Sequence, residues 1–286
     1  MVKLFHATAA LAGYAVSAIV VTALTSGIWT ALLLANLATT PAIPWSTPVM
    51  LLLLSLLWWA LGGWGRGAKS RATRGERLRA GPLPTSIAAW AVFAGLLWLV
   101  ALASFWILLH RLVATPAPHR PDYSKLDLIM VLATLVTASI SGAVSEEAGF
   151  RGYFQGALER RGLGPAAILI VALVMAPVHA LTQGFAWPTL LFYLLVDGML
   201  GSLVFITRSI RPGIAVHFIG LFVFFAFIWP HDADRRTIWA HGADSAFWLG
   251  VGLIAIFGAA GSAALVRLAG LVRRTAGIAA PGAAIA

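Results

Sequence analysis

The stretch LIMVLATLVTASISGAVSEEAGFRGYF, residues 128–154, sets a long uncharged run directly against Glu146, Glu147 and Arg151. A charged side chain at the centre of a bilayer costs about 2.5–3.5 kcal/mol or more. If the run spans a membrane, its charged end must therefore face protein or water, never lipid. Whether it spans depends on the rest of the chain.

Of the 286 residues, 60% are hydrophobic and only 10% charged, with a mean hydropathy of +0.90. A soluble domain carries roughly 25% charged residues, so the composition predicts an integral membrane protein. Cysteine is absent, which excludes disulfides, thiolate nucleophiles and cysteine-ligated metals. A net charge of +10 raises the question of nucleic acid. The basic residues fall in short blocks between apolar runs and form no single face, so the expected partner is the lipid bilayer, with no nucleic acid. Seventeen of the twenty basic residues are Arg, a bias that fits GC-rich bacterial coding. The basic N-terminus precedes an apolar stretch too long for a secretory signal, which reads as a first membrane helix.

Apolar runs near 10–36, 46–65, 86–112, 128–150, 165–183, 188–207, 212–230 and 246–272 predict an all-α polytopic membrane protein of about eight transmembrane helices in one bundle. Eight crossings put both termini on one side. With that count, Lys3, the 66–79 block, Arg151, Arg160, Arg161, Arg208, Arg211, Arg267, Arg273 and Arg274 share a side, fifteen basic residues against five. By the positive-inside rule that side is cytoplasmic, so a multi-pass protein of the cell membrane with both termini inside is expected. Residues 1–275 read as a single membrane domain and 276–286 as a disordered tail. The segment RGAKSRATRGERLRAGPLPT reads as a cytoplasmic loop or interfacial stretch.

Several ionisable residues then remain within or at the ends of spans: Glu146, Glu147, Arg151, His179, Asp197 and His217. Such residues are functional candidates by default. Adjacent residues on a helix diverge by about 100°, and only Glu147 has a basic partner four residues on. Glu147 and Arg151 are therefore expected to pair and fix the helix end, leaving Glu146 to face other helices, where a partly desolvated carboxylate suits general-base work. Counted from the basic loops at 1.5 Å per residue, Glu146 and His179 both lie about 21–22 Å deep, whereas His217 lies only about 9 Å in. Pro177 loosens the backbone beside His179, as helices lining cavities tolerate. Asp197 has three readings: a structural hydrogen-bond acceptor, a member of the same site, or part of an ion pathway.

Glu-Glu-x-x-x-Arg on one helix, a histidine one helix later and another two helices after that resembles the CPBP intramembrane protease family, which includes the type II CAAX prenyl endopeptidases. The resemblance covers about residues 127–230. It implies that Glu146, assisted by His179, activates a water for attack on a peptide carbonyl while His217 donates to the oxyanion, with Glu147 and Arg151 in support. It implies a membrane-associated protein or peptide substrate. A glutamate mechanism without a cofactor is favoured, with zinc on Glu146, His179 and His217 as the alternative. The family pattern has Phe where this chain has Met175, and Asn where it has Leu221, and leucine cannot donate a hydrogen bond. An inactive scaffold or immunity protein of the same fold, and a proton-coupled transporter, are the rival readings.

Overall fold

The computed structural model describes residues 2–65, 67–114 and 126–279. Arg66, Arg120 and Lys125, and the prolines Pro116, Pro118 and Pro121, lie outside the described residues. Within them the chain is helical throughout, without a strand: α1 (Val2–Thr39), α2 (Ser46–Leu61), α3 (Gly67–Leu78), α4 (Thr85–Leu112), α5 (Leu128–Glu146), a π-helical segment (Glu147–Gln155), α6 (Gly156–Arg160), α7 (Ala166–Gln183), α8 (Trp187–Thr207), α9 (Arg211–Val223), α10 (Ile238–His241) and α11 (Ser245–Ala279). A further π-turn (Phe224–Ile228) and a 3₁₀ turn (Trp229–Asp234) follow α9.

All eight apolar runs are helical, and length and composition alone confirm six of the expected eight spans among the described residues. Six helices are long and apolar enough to cross a membrane: Ala10–Thr39, Thr85–Leu112, Leu128–Arg160, Trp187–Thr207, Arg211–Asp232 and Ser245–Thr275. The other two, Ser46–Leu61 and Ala166–Leu181, are shorter. The 16 residues of α2 reach about 24 Å, less than the hydrocarbon core of about 30 Å. Pro165 and Gly184 punctuate α7 at its two ends. The 67–78 segment is a polar helix, with Leu78 buried and Lys69, Arg71 and Arg77 exposed. Residues 276–279 continue α11, and 280–286 lie outside the described residues.

The main core joins α4, α8, α9 and α11 through Leu102, Trp106, Phe192, Leu200, Leu203, Val216 and Leu268. A second joins Ala18 of α1 to Phe150, Phe154, Val171 and Met175. Between helices already in an apolar medium, association rests on close packing, and small residues permit it. A Cβ added at Gly95 of α4 would lie 2.4 Å from a methyl of Val216 on α9. Large apolar side chains such as Leu52, Leu169, Trp248 and Val266 remain exposed on the outside, as a lipid-facing surface requires.

Asp127 starts α5 by accepting a hydrogen bond from the Met130 N–H at 2.7 Å. From there the helix does not end at the charged stretch. It passes through nine π-helical residues, Glu147–Gln155, and resumes as α6. Single π-turns inside α-helices recur at functional sites because they re-aim the side chains around them.

Candidate active site

The change from α to π geometry falls between Glu146 and Glu147. Glu147 and Arg151 are fully buried, and Glu146 is 8% exposed. His179 enters from α7, two residues beyond Pro177, and His217 from α9. Oε2 of Glu146 lies 3.6 Å from Nε2 of His179 and 3.6 Å from Nε2 of His217. On the far side of the same ring, Nδ1 of His217 is 3.1 Å from Oε1 of Glu147. The two glutamates, expected to diverge, thus grip one imidazole from opposite edges.

That meeting corrects the depth assigned to His217. The turn between α8 and α9 is capped by other chain segments: Ser209 and Ile210 are buried at 2% and 0% exposure between exposed Arg208 and Arg211. The Ile210 N–H donates to the Arg79 carbonyl at 2.9 Å, and Ser209 Oγ donates to the Gly81 carbonyl at 3.0 Å. Helix α9 starts beneath this cover, and His217 meets Glu146 despite the shallower count from Arg211. Gly213 lets α9 approach, since a Cβ there would stand 2.6 Å from Oε2 of Glu147.

Arg151 pairs with Glu147 as the spacing predicted, Nη1 to Oε1 at 3.5 Å. Its closer partner is Asp197 of α8, hydrogen-bonded through Nη2, and Nη1 also lies 3.0 Å from the Met175 sulfur. The donor to Asp197 is thus a guanidinium of the candidate site and not the backbone or hydroxyl group expected of a purely structural acceptor. The pair does not fix a helix end. It ties the π-segment to α8, helped by Gln155, whose amide donates to the Gly201 carbonyl at 2.9 Å.

Glu146, His179 and His217 line a cavity of about 610 Å³ whose remaining wall is mostly apolar, including Trp29, Leu99, Phe192 and Phe225. Leu221 also lines it, with Cδ1 3.0 Å from the point a Cβ on Gly142 would occupy. Oε2 of Glu146 is buried without a hydrogen bond from the described residues. Its 3.6 Å separations from both imidazoles are of the kind a water bridges. Among the described residues no group of three or more His, Asp or Glu side chains is already closed around a metal-sized point.

One residue at the site was not foreseen. Tyr193 stacks on His179, with ring centroids 4.1 Å apart and planes 15° from parallel, and is itself held edge-on by Phe192 at 5.2 Å. An aromatic in an apolar run carries no mark of the ring it will meet. A second polar cluster was also missed: buried Asp232 accepts from Trp106 Nε1 and from Arg235 Nε, each at 2.8 Å.

Residues 128–223 match the family model described as type II CAAX prenyl endopeptidase Rce1-like. The matched segment begins with α5 and ends with α9, and holds every residue of the Glu146, Glu147, Arg151, His179 and His217 constellation. It bears out the resemblance to the CPBP family. No curated protein and no solved structure matches the chain.

Proposed function

We propose, from a multi-pass membrane protein whose α5–α9 segment is Rce1-like, that this chain is an intramembrane peptidase using Glu146 as general base. The observation that carries this reading is one carboxylate oxygen, Glu146 Oε2, poised 3.6 Å from Nε2 of both His179 and His217 on the wall of an apolar cavity.

In the reaction, Glu146 takes a proton from water as the water oxygen bonds to the peptide carbonyl carbon and the C=O π pair moves onto oxygen. His217 stabilises that oxyanion. Its Nδ1–H is committed to Glu147, so Nε2 offers an N–H only in the imidazolium form, and the two flanking carboxylates suit that form. Collapse of the tetrahedral intermediate breaks the C–N bond, and the proton held by Glu146 passes to the leaving amine. His179 orients the Glu146 carboxylate, with Tyr193 holding its ring plane. Arg151, Glu147 and Asp197 act on the scaffold of the site. No step passes through a metal.

The apolar lining favours a membrane-associated protein or peptide as substrate. The reading includes α3 and both termini on the cytoplasmic side of a bacterial cell membrane, supported by the basic asymmetry of an eight-span count and by the Arg bias. Peptide cleavage by the purified protein, read by mass spectrometry on prenylated and unprenylated C-terminal peptides and on a mixed membrane-peptide pool, tests the reading. Products that vanish in Glu146→Ala and persist with a chelator are expected. Products abolished by the chelator would overturn the metal-free mechanism.

A second reading rests on Leu221, an apolar side chain lining the cavity beside Glu146 where the family pattern carries a donor. On it the fold is kept as a scaffold or immunity protein without turnover, and no peptide pool yields a Glu146-dependent product. The transporter reading took Glu146, Asp197 and the histidines as an ion path, in which Asp197 is here paired with Arg151.

A further inference from the structure

A basic cluster at the Arg160 end of the bundle is built differently from a solvated charged rim. Glu159, 3% exposed, accepts from both Arg79, at 3.0 Å, and Arg208. Arg160 joins them: its Nη1 and the Arg79 Nε both lie 3.1 Å from the point a Cβ on Gly156 would occupy, so two guanidiniums converge where no side chain separates them. Two cations thus share one carboxylate, with a third beside Arg79. The Arg79 side chain is only 10% exposed, and its Nη1 is buried without a hydrogen-bond acceptor among the described residues. A buried guanidinium N–H without an acceptor calls for one, and a guanidinium fork matches the oxygens of a phosphate.

The position of the cluster says which phosphate. Arg160 is the last residue of the span Leu128–Arg160, and Arg208 directly follows the span Trp187–Thr207, so both guanidiniums stand at the ends of membrane helices, where headgroups are expected. Arg79 directly follows α3, a polar helix with Lys69, Arg71 and Arg77 exposed, and Arg71 stacks over Trp64 at 3.1 Å from the ring centroid. Trp59 and Trp64 are themselves exposed, as aromatics are at a membrane–water interface. Basic residues beside interfacial aromatics on a surface helix attract anionic lipid.

We propose that Arg79, Arg160 and Arg208 form a binding site for the phosphate of an anionic lipid headgroup. Glu159 holds two of the three guanidiniums in place, and α3 supplies the surrounding positive field. The site is independent of the peptidase reading.

Phosphatidylglycerol titrated into the delipidated full-length protein in detergent, with phosphatidylcholine as the comparison, is read by native mass spectrometry. The wild type is expected to retain phosphatidylglycerol selectively, and Arg160→Gln and Arg79→Gln each to bind it about fivefold more weakly. Lys69→Gln, which changes the field but not the cluster, should keep the bound lipid. Arg160 is exposed, so its variant carries the test even if Arg79→Gln fails to fold. Equal retention of phosphatidylglycerol by Arg160→Gln and wild type overturns the site. Displacement of the lipid by millimolar inorganic phosphate overturns the assignment to a lipid.

Discussion

Glu147 and His217, seventy positions apart in the chain, are joined by a contact of 3.1 Å between Oε1 and Nδ1. That contact fixes which imidazole nitrogen is left to face Glu146 and the cavity. Glu147→Gln keeps the shape but removes the charge beside the ring. Its kcat is expected to fall at least about tenfold with KM little changed, since the loss concerns charge developed in the transition state. Steady-state cleavage kinetics on the first substrate found would check this, and a rise in KM alone would contradict it.

Arg151 lies fully buried between Glu147 and Asp197. Arg151→Ala leaves two buried carboxylates without their cation and should cost about 3–5 kcal/mol of stability. Adding Asp197→Asn removes one of the stranded charges, so the double variant is expected to be more stable than Arg151→Ala alone. Thermal unfolding in detergent measures both, and equal stability of the two would argue that Asp197 is not paired with Arg151.

Gly95 faces Val216, the residue before His217, and a Cβ there would meet its methyls at 2.4 and 2.8 Å. Gly95→Ala should push α9 away from α4 at a cost of about 1–3 kcal/mol and lower cleavage in parallel. A variant with wild-type melting temperature and activity would show that α9 is not packed this tightly.

Leu221 lines the cavity where an amide could donate to the oxyanion. Removing one such donor from an enzyme costs about 10²–10³ in rate, so Leu221→Asn is expected to raise kcat by roughly tenfold or more. An unchanged or lower kcat would mean that the wild-type site already stabilises the oxyanion by another group.

Asp244 caps the start of α11 through the Phe247 N–H at 2.9 Å and takes a two-pronged bond from Arg111, at 2.6 and 3.1 Å. The Arg111 guanidinium holds its carboxyl down to about 2. A carboxylate whose pKa is depressed on folding stabilises fully above its unfolded pKa of about 3.9 and loses that contribution as pH falls through the folded value. The stability gap between wild type and Asp244→Asn should therefore be constant from neutral pH to about 5, shrink below that, and vanish only near pH 1. A gap undiminished between pH 5 and pH 2 would assign the difference to something other than the ionised carboxylate. Because the carboxylate is exposed, the gap should also shrink in high salt.

Composition and apolar run length determined, without a structure, that this chain is a helical membrane protein. Both are sums over residues, and the cost of placing them in water or lipid does not depend on their neighbours. The same argument marked Glu146, Glu147, Arg151, His179, Asp197 and His217, because an ionisable group in an apolar run is anomalous wherever it lands. The i+4 spacing of Glu147 and Arg151 was legible for a related reason: it is local, and the helix repeat carries it.

The meeting of His217 with Glu146, the pairing of Asp197 and the stack of Tyr193 on His179 were decided only by the tertiary structure. Each depends on where another helix lies. Residues 79–81 cover Ser209 and Ile210 at the start of α9. The π-geometry of residues 147–155 lets two adjacent glutamates reach one imidazole. Neither follows from a 100° turn per residue and a 1.5 Å rise, since the departure from that regular helix is fixed by what packs against it.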